Sequence, residues 1–437
     1  MKLVVFGAGN IGRSFVGQLF ARAGYQVVFV EVNRPLVEAL NRAGRYRIEM
    51  VGQSAGWRAN LPHREVIWVE GISAVDGAHR DEAARAVAGA DILATAVGPA
   101  ALRHIYPTIA AGLVIRKQAG GGPLDIIICE NLRNAAHAFE EGLREHLPPG
   151  FPLRDYVGLV ETSIGKMVPI MPEAALREDP LVLYAEAYNT LILDAKAFRN
   201  PIPNVPGLDP KGNMAAYVDR KAFIHNLGHA ACAYLGYLTN PRWRYIWEAV
   251  GDPQVRRAAK AAMWESGRAL MRRYPGSPHG RSAVASDRQS AGDPPEFTTA
   301  DQEEHIEDLL ARFGNQALGD TVFRVGRDLP RKLSREDRLV GALLMDAAEG
   351  VSASVTTLAL AAGFFFGATD ERGQAFPADA EFQQHLTERG VDWAIREVCG
   401  LDEEVAAEAR IAEGVRKAYR DLQGRKEGWL GRWMEAM

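Results

Sequence analysis

Cysteine is scarce in this sequence. Three cysteines occur among 437 residues, at Cys129, Cys232 and Cys399. Their wide separation excludes a disulfide framework, and it also excludes a zinc site built from closely spaced pairs of ligands. We therefore expect each cysteine to be a small buried hydrophobic residue.

Long hydrophobic runs are absent as well. The longest strongly apolar stretch, Leu358 to Phe366, is far shorter than the roughly 20 residues that a membrane-spanning helix requires. The apolar residues after Met1 lead directly into a glycine pattern without a small-residue cleavage site, which disfavours a secretory signal. The expected location is the cytoplasm, with no membrane partner.

Neither sign of charge is in large excess. The 51 basic and 55 acidic residues give a net charge of −4, and the basic residues are spread along the chain instead of clustered. This distribution provides no electrostatic footprint for nucleic acid. Because 47% of the residues are hydrophobic, the chain has material for two packed cores. We expect a monomer or small homo-oligomer with a small-molecule ligand.

The first half of the sequence alternates short β-rich runs with helical patterns, which is typical of a parallel sheet with crossover helices. Between the first two runs, apolar residues from Ile11 to Ala23 recur at helical spacing, and this pattern ends at Gly24. The segment therefore predicts a βαβ unit. The clearest predicted strands are Lys2 to Phe6, Gln26 to Val30, Asp91 to Val97 and Leu124 to Cys129.

The pattern changes after about residue 153. Tyr156 to Ile170 and Pro180 to Asp194 look like further strands, and a Pro-rich connector, Arg199 to Pro210, follows them. We place the domain boundary in this connector. The sequence thus predicts an α/β protein with a Rossmann-type parallel-sheet domain at 1–200 and a mostly α-helical, substrate-binding domain at 201–437. The predicted helical segments are Met214 to Leu238, Asp252 to Arg273, Gln302 to Phe313, Glu336 to Phe366 and Val391 to Leu422.

Two segments differ from this packed pattern. Gly276 to Pro295 is rich in Gly, Pro, Ser and charged residues, which predicts a mobile surface loop, with a functional lid as the alternative. Near the end, Trp429 and Trp433 lie one helical turn apart. They predict a short amphipathic helix that docks on the chain itself or on a neighbour.

A glycine motif follows the first predicted strand. Gly7, Gly9 and Gly12 have the G-x-G-x-x-G spacing at the start of a helix, with Asn10 and Ile11 between the last two glycines. The first glycine permits a tight turn, the second permits close approach of a pyrophosphate, and the third permits close packing of helix and strand. This context predicts a dinucleotide site.

An acidic residue supports that prediction. Glu31 ends the second strand, 19 residues beyond Gly12, where a carboxylate would bind the adenosine ribose hydroxyls. Because its charge would repel a 2′-phosphate, we expect NAD, although Asn33 and Arg34 leave some tolerance for NADP. FAD uses the same glycine fingerprint, but the other sequence features do not suggest a flavoprotein. Thr95 and Val97, at the end of a later strand, are predicted to lie beside the nicotinamide.

The segment RKAFIHNLGHA offers a catalytic group. On a regular helix with about 100° per residue, Lys221 at zero places His229 near 80° and Asn226 near 140°, so the three share one broad face. A lysine desolvated there has a lowered pKa and suits a general base. The alternatives are a surface lysine with a core histidine, or a metal pair formed by His225 and His229. No third metal ligand is suggested by spacing.

With these residues assembled, the chain resembles the mannitol dehydrogenase family of polyol-specific long-chain dehydrogenases, and within it the enzymes that act on mannitol 1-phosphate. The resemblance covers nearly the whole chain. It rests on the segments FGAGNIGR, TAVGP, CENL, RKAFIHNLGH, RVGRDLPRKLSREDRL and CGLDEE. It implies metal-independent oxidation of a secondary alcohol, with NAD accepting the hydride.

The resemblance also implies residue roles. The motif K-x4-N-x2-H falls on Lys221, Asn226 and His229, as general acid/base, oxyanion stabiliser and substrate-orienting residue. Asn131 in CENL resembles the second member of the oxyanion-stabilising pair. Arg324 and Lys332 match cations that contact substrate hydroxyls or a terminal anionic group, although they are also compatible with an ion-paired helix face.

One segment departs from the family pattern. The family commonly has V-D-R-I-V-P after the strand that ends near Glu161, whereas this chain has Gly165 and Lys166 in place of the acid and the arginine. The first functional hypothesis is interconversion of a hexitol 1-phosphate and a ketohexose phosphate such as fructose 6-phosphate. The alternatives are a dehydrogenase of a non-phosphorylated polyol or sugar acid, and a catalytically silent NAD-binding regulator.

Overall fold

A computed structural model of the chain describes residues 1–51, 65–169, 171, 173–275 and 297–436. The chain divides into two compact units, Met1–Val218 and Asp219–Met437. This division lies beyond the Pro-rich connector in which the sequence analysis placed the boundary. The predicted loop from Gly276 to Pro295 falls outside the described residues.

The first unit is built on an eight-stranded sheet and a three-stranded sheet. The strands are β1 Lys2–Phe6, β2 Gln26–Glu31, β3 Arg45–Met50, β4 Val66–Glu70, β5 Ile72–Asp76, β6 Ile92–Thr95, β7 Leu124–Ile128, β8 Val157–Ser163, β9 Leu183–Ala185, β10 Leu191–Asp194 and β11 Leu208–Lys211. The larger sheet has the order β11-β10-β8-β7-β6-β1-β2-β5, and the smaller has β4-β3-β9. The six strands from β8 to β5 in this order are parallel, in the classic Rossmann arrangement.

Helices cover the larger sheet, which explains why its central strands read as continuous apolar runs. Every residue of β6 and β7 is buried, as expected for parallel strands packed on both faces. Separate clusters of buried apolar side chains form on the two faces. The helices of this unit are α1 Gln18–Arg22, α2 Arg34–Ala43, α3 Arg80–Ala88, α4 Leu102–Gln118, α5 Ala135–Arg144, α6 Leu153–Tyr156 and α7 Glu173–Glu178. A π-helical turn, Gly12–Gly17, precedes α1.

The four strands expected with most clarity are confirmed, but the later ones required correction. The strand predicted from residue 156 to 170 ends at Ser163. The strand predicted from residue 180 to 194 is two strands: β9 joins the small sheet beside β3, and β10 joins the large sheet beside β8. Local apolar patterning does not reveal this division because pairing partners are remote in sequence.

The second unit is helical in its described residues, apart from a single β-bridge between Tyr245 and Thr321. Its central element is α9, whose residues are buried from Ala230 to Gly236 and which packs against α10, α11, α13 and α16. The helices from α8 onward are α8 Met214–Arg220, α9 Leu227–Thr239, α10 Ile246–Gly251, α11 Pro253–Arg273, α12 Thr299–Phe313, α13 Val322–Gly326, α14 Leu329–Lys332, α15 Val340–Ala348, α16 Ser354–Gly363, α17 Pro377–Arg389, α18 Val391–Trp393, α19 Ala406–Gln423 and α20 Trp429–Glu435.

Two long predicted helical segments are interrupted. The segment from Glu336 to Phe366 contains α15 and α16, separated near Gly350, which adopts a φ of +65°. The segment from Val391 to Leu422 ends its first helical stretch with a π-helical turn at Val398, and α19 begins at Ala406. Within the described ranges, no helix is both long and apolar enough to cross a membrane.

The smaller predictions on burial are confirmed. All three cysteines are free and buried. The C-terminal helix α20 buries Trp429, Leu430 and Met434, and it packs on α11 of the same chain.

Candidate active site

The turn between β1 and the next helix requires glycine at two of its three glycine positions. Gly7 has a φ of +93°, and a Cβ there would lie 2.6 Å from the carbonyl oxygen of Ala96. A Cβ on Gly12 would collide with the carbonyl oxygen of Gly7. Around Gly9, in contrast, a Cβ would meet no atom within 4 Å. The turn is therefore closed against its own sheet and open at Gly9, where a pyrophosphate would approach.

Polar bonds fasten this turn to its surroundings. The buried Arg13 guanidinium donates from Nε to the carbonyl of Ala8 at 2.6 Å. The carbonyl of Arg13 accepts a hydrogen bond from the Tyr46 hydroxyl at 2.7 Å. Arg13 therefore stabilises the glycine turn from its buried side. On the other side of the turn, Asn10 is exposed and Ile11 is half-buried.

Glu31 joins the glycine turn to the end of β2. Its Oε2 accepts from the backbone N–H of Ala8 at 2.8 Å, and its Oε1 accepts from the N–H groups of Val32 and Asn33. A carboxylate has further acceptor capacity beyond these three bonds. The negative charge expected from the sequence is thus held beside the glycine turn.

The sequence analysis missed Glu130, the neighbour of Asn131. Its buried carboxylate accepts from the backbone N–H groups of Val97 at 3.0 Å and Gly98 at 2.7 Å. Burial raises the pKa of Glu130, and these two hydrogen bonds oppose the rise. The carboxylate fixes the loop after β6, and Thr95 is fully buried beneath that loop. The sequence signal that could have identified Glu130 is an acid at the end of β7, in the segment CENL. The sequence analysis selected only Asn131 from that segment.

Asn131 lies three residues beyond the end of β7 and is exposed. Because β1, β6 and β7 are parallel neighbours, their carboxyl ends meet at one edge of the sheet. This edge therefore carries the glycine turn, the loop after β6 and Asn131. Ligands of open α/β sheets bind at such an edge.

Lys221 and Asn226 are the first and last residues of a π-helical turn that joins α8 to α9, and His229 lies in the first turn of α9. The assumption of a uniform 100° per residue is therefore wrong here. In a π-helix the backbone bonds join residues five apart, so Lys221 and Asn226 occupy successive positions on one face. From Lys221 to Gly236, three side chains keep partial solvent access, namely Lys221, Asn226 and His229, and every other residue is buried. The three predicted residues thus form the accessible side of a core helix.

Burial lowers the pKa of Lys221 to about 8, with a further lowering by Arg338 and an opposing effect of Asp337. Arg338 Nε and Asp337 Oδ1 form an ion pair at 2.6 Å. A lysine with this pKa is partly neutral near physiological pH, as a general base requires.

His229 is held by stacking and is neutral. Its ring stacks on Phe313 at a centroid distance of 4.5 Å. Burial, followed by the charges of Arg324 and other cations, lowers its pKa well below the usual value. Nε2 lies 3.6 Å from Oδ2 of Asp320 and has no hydrogen-bond partner among the described residues. This buried nitrogen is available to a ligand hydroxyl.

His225 is buried behind the accessible face. Its ring centroid lies 6.4 Å from that of His229, and burial lowers its pKa well below the usual value. In the part of the chain that the structure describes, no three His, Cys, Asp or Glu side chains converge as metal ligands.

The two predicted substrate cations have different environments. Arg324 is half-exposed and pairs with Asp320, one turn earlier, but its buried Nε has no hydrogen-bond partner among the described residues. Lys332 is 5% exposed, and its Nζ donates to the carbonyl of Val325 at 2.6 Å. No carboxylate lies within 4.0 Å of Lys332 Nζ in the described ranges. Burial, aided by nearby Arg338, lowers the pKa of Lys332 to about 7.

A Rossmann-order sheet with a glycine turn, followed by a helical unit, is the architecture of a two-domain dehydrogenase. The family model described as "Mannitol dehydrogenase Rossmann domain" matches residues 1–207, and "Mannitol dehydrogenase C-terminal domain" matches residues 213–423. The chain belongs to the mannitol dehydrogenase family, as the sequence resemblance indicated.

Two solved structures share the fold. Mannitol 2-dehydrogenase from Pseudomonas fluorescens, in a ternary complex with NAD and D-mannitol, has a TM-score of 0.70 and 17% identity, over 100% of this chain and 94% of that chain. A D-sorbitol dehydrogenase in substrate-free form has a TM-score of 0.67 and 15% identity, over 97% of this chain and 93% of that chain.

Proposed function

We propose that this chain is an NAD-dependent dehydrogenase that interconverts a hexitol 1-phosphate, such as mannitol 1-phosphate, and a ketohexose phosphate, such as fructose 6-phosphate. The observation that carries the reaction type is the accessible face of Lys221, Asn226 and His229 on an otherwise buried helix. Membership of the mannitol dehydrogenase family supports it.

The first unit fits NAD. The open space at Gly9 would receive the pyrophosphate at the start of the helix, and Glu31 would bind the ribose hydroxyls. The Glu31 carboxylate disfavours a 2′-phosphate, which supports NAD over NADP. When bound, NAD supplies the acceptor for the hydride that leaves the alcohol carbon. Asn10, Ile11 and Val97 are proposed to complete the walls of this site, and the fully buried Thr95, which the sequence analysis placed beside the nicotinamide, is proposed to support them from below.

In the oxidation direction, the neutral Lys221 amine takes the proton of the substrate hydroxyl. Asn226 donates a hydrogen bond to that oxygen as negative charge develops on it, which stabilises the transition state. For Asn131, the family resemblance supports the same type of role. The amide of Asn226 makes no hydrogen bond to other described residues, so it is available for this role. His229 binds a neighbouring hydroxyl through Nε2.

The phosphate is assigned to Lys332 and Arg324. Lys332 is a buried amine without a carboxylate partner in the described ranges, and a phosphate dianion would supply the missing charge. Arg324 would add a donor through Nε. The second candidate is a non-phosphorylated polyol, and the two solved structures of the shared fold, a mannitol and a sorbitol dehydrogenase, favour it.

The test is consumption of NADH, followed by absorbance, with fructose 6-phosphate and fructose as substrates and with NADPH as the alternative cofactor. We expect turnover of fructose 6-phosphate with NADH. Lys221→Met should lower kcat by about a thousandfold or more, in the range for loss of a general acid/base and its charge, without changing the Kd of NADH. Lys417→Met, at an exposed lysine of the same unit, should be silent.

A higher kcat/KM for fructose than for fructose 6-phosphate would contradict the phosphate assignment. It would support the second candidate, a dehydrogenase of a non-phosphorylated polyol. NADH binding without turnover of any ketose or polyol in a broad panel, together with unchanged behaviour of Lys221→Met, would instead identify a silent dinucleotide-binding protein.

A further inference from the structure

Glu130 holds a buried negative charge that no step of the proposed reaction uses. The residue is 4% exposed, and each carboxylate oxygen accepts one backbone N–H, Oε1 from Val97 and Oε2 from Gly98. Hydrogen bonds to both oxygens favour the ionised form of the carboxyl group. In the part of the chain that the structure describes, no Lys, Arg or His nitrogen lies within 4.0 Å of this carboxylate. A buried carboxylate without a cation is unusual, because buried charges are normally paired.

The Glu130 carboxylate lies at the ligand-binding edge of the sheet. Because β6 and β7 are parallel neighbours, the loop after β6 and the residues after β7 meet at this edge. The same loop contacts the glycine turn, since a Cβ on Gly7 would lie 2.6 Å from the carbonyl oxygen of Ala96 and 3.2 Å from Cγ1 of Val97. The loop from Ala96 to Gly98 therefore contacts both the carboxylate and the turn that begins the predicted dinucleotide site.

The two hydrogen bonds alone give Glu130 a structural role, which is to fix this loop. They do not supply a positive charge, because backbone N–H groups are dipoles and carry no net charge. An electrostatic partner for Glu130 is therefore best sought in a ligand that binds at this edge of the sheet and carries a cationic group.

We propose that this cationic partner is the nicotinamide ring of NAD⁺, and that Glu130 thereby favours binding of the oxidised cofactor over the reduced one. The inference rests on the proposed function, in which the loop after β6 lies beside the nicotinamide. The oxidised ring carries a positive charge and the reduced ring carries none, so a nearby carboxylate attracts the oxidised form alone. Because Glu130 is buried, salt screens this attraction only weakly.

The test compares Glu130→Gln, which removes the charge and keeps the shape, with the unaltered protein. Isothermal titration calorimetry measures the Kd of three ligands: NAD⁺, NADH and ADP-ribose, which lacks the nicotinamide. We expect Glu130→Gln to weaken NAD⁺ binding about tenfold more than NADH binding, as the loss of one charge–charge attraction predicts. The Kd of ADP-ribose should stay within about twofold, because this ligand has no ring beside the loop.

Two further variants separate charge from loop structure. Glu130→Asp shortens the side chain but keeps the carboxylate, so it should weaken both cofactors while their ratio of Kd values stays within about twofold of the unaltered protein. Asp125→Asn is the matched control. Asp125 is 2% exposed in the same strand, and it accepts N–H bonds from Arg199 and Asn200. It lies at the amino end of β7, away from the ligand-binding edge, so its replacement should leave the ratio unchanged.

The outcomes distinguish the inference from the proposed function. Equal losses of NAD⁺ and NADH affinity in Glu130→Gln, or affinities that do not change, would overturn the inference and restrict Glu130 to fixing the loop. A similar change of ratio in Asp125→Asn would also overturn it, because the effect would then not depend on the position of the charge. Failure of the unaltered protein to bind any of the three ligands would instead overturn the assignment of NAD in the proposed function.

Discussion

Lys221 owes its chemistry to the residues that surround it. It lies in a π-helical turn that continues directly from α8. The next four residues are buried, and the burial of Lys221 itself lowers its pKa to about 8 from a usual value of 10.5. The amine must be neutral to accept a proton from an alcohol. It must be protonated to donate one to a ketone.

The pH dependence of catalysis follows from this requirement. In polyol oxidation, kcat/KM should rise about tenfold per pH unit below pH 8 and level off above it, because the neutral fraction of Lys221 saturates. In ketose reduction, kcat/KM should fall above the same pH. Initial rates at saturating cofactor across the pH range check both limbs. Profiles that are flat through pH 8 would remove Lys221 from the role of acid and base.

The same lowered pKa affects stability. The folded protein binds the Lys221 proton less tightly than the unfolded chain does, so the ammonium form disfavours folding below pH 8, and this penalty disappears as pH rises to 10.5. Lys221→Met should therefore raise the free energy of unfolding by about 3 kcal/mol at pH 7. Urea unfolding at pH 7 and at pH 10.5 measures the change, and Lys417→Met is the matched control. A gain that persists undiminished at the higher pH would contradict this origin.

At the scale of elements, the helices that carry the candidate site residues each contain a π-helical turn, Gly12–Gly17 in one unit and Lys221–Asn226, between α8 and α9, in the other. Single-turn π segments occur frequently at functional sites. In the first π-helical turn, the Arg13 carbonyl oxygen accepts two hydrogen bonds. One comes from the backbone N–H of Gln18, five residues later, and the other comes from the Tyr46 hydroxyl. A strand outside the glycine motif thus supports the turn that the motif begins.

Loss of that hydroxyl should be measurable in two ways. Tyr46→Phe should lower the free energy of unfolding by about 1 kcal/mol, as expected for one buried hydrogen bond, and should weaken NADH binding several-fold. Tyr156→Phe removes a comparable hydroxyl bond, to the carbonyl of Gly121, at a position outside the glycine turn. Its NADH affinity should remain normal. Equal NADH affinities in the two variants would show that the Tyr46 hydroxyl does not contribute to cofactor binding.

The sequence predicted the elements whose signals are local. The glycine turn, β1, β2 and the helix that ends before Gly24 follow from glycine spacing and periodic apolar residues. The π-helical turns could not be predicted, because a shift from i→i+4 to i→i+5 bonding depends on packing rather than on local propensity. The hydrogen bonds from Val97 and Gly98 to Glu130 were equally inaccessible, because they join residues that are 33 and 32 positions apart in the sequence.

At the scale of the whole molecule, the chain distributes its functional groups over two units of similar size. The cofactor-binding candidates belong to the first unit, and the proposed general base and proposed substrate-binding cations belong to the second. Within one motif, the sequence analysis selected Asn131 and missed the buried Glu130, because a sequence does not show which of two neighbouring polar residues is buried. Burial, which depends on the complete fold, separates the two.

The C-terminal helix contributes to the second unit as a whole. Leu430 is fully buried where α20 packs on α11. Leu430→Ala should lower the free energy of unfolding by about 3 kcal/mol, in the range for a buried leucine replaced by alanine. Glu435→Ala, at an exposed position of the same helix, should change it by less than about 0.5 kcal/mol. Urea unfolding monitored by tryptophan fluorescence provides the comparison, and a small effect of Leu430→Ala would place α20 outside the cooperative unit.

Lys221, Asn226 and His229 lie on a helix whose other residues are buried as far as Gly236, and this placement has a consequence for protein engineering. Redesign of that helix would disturb the folding of its whole unit, because α9 packs against four other helices. Substrate preference is therefore best changed by substitutions at residues outside this helix. A library confined to position 324, which is half-exposed, would vary the proposed substrate contact while the proposed proton-transfer residues and their helix stay constant.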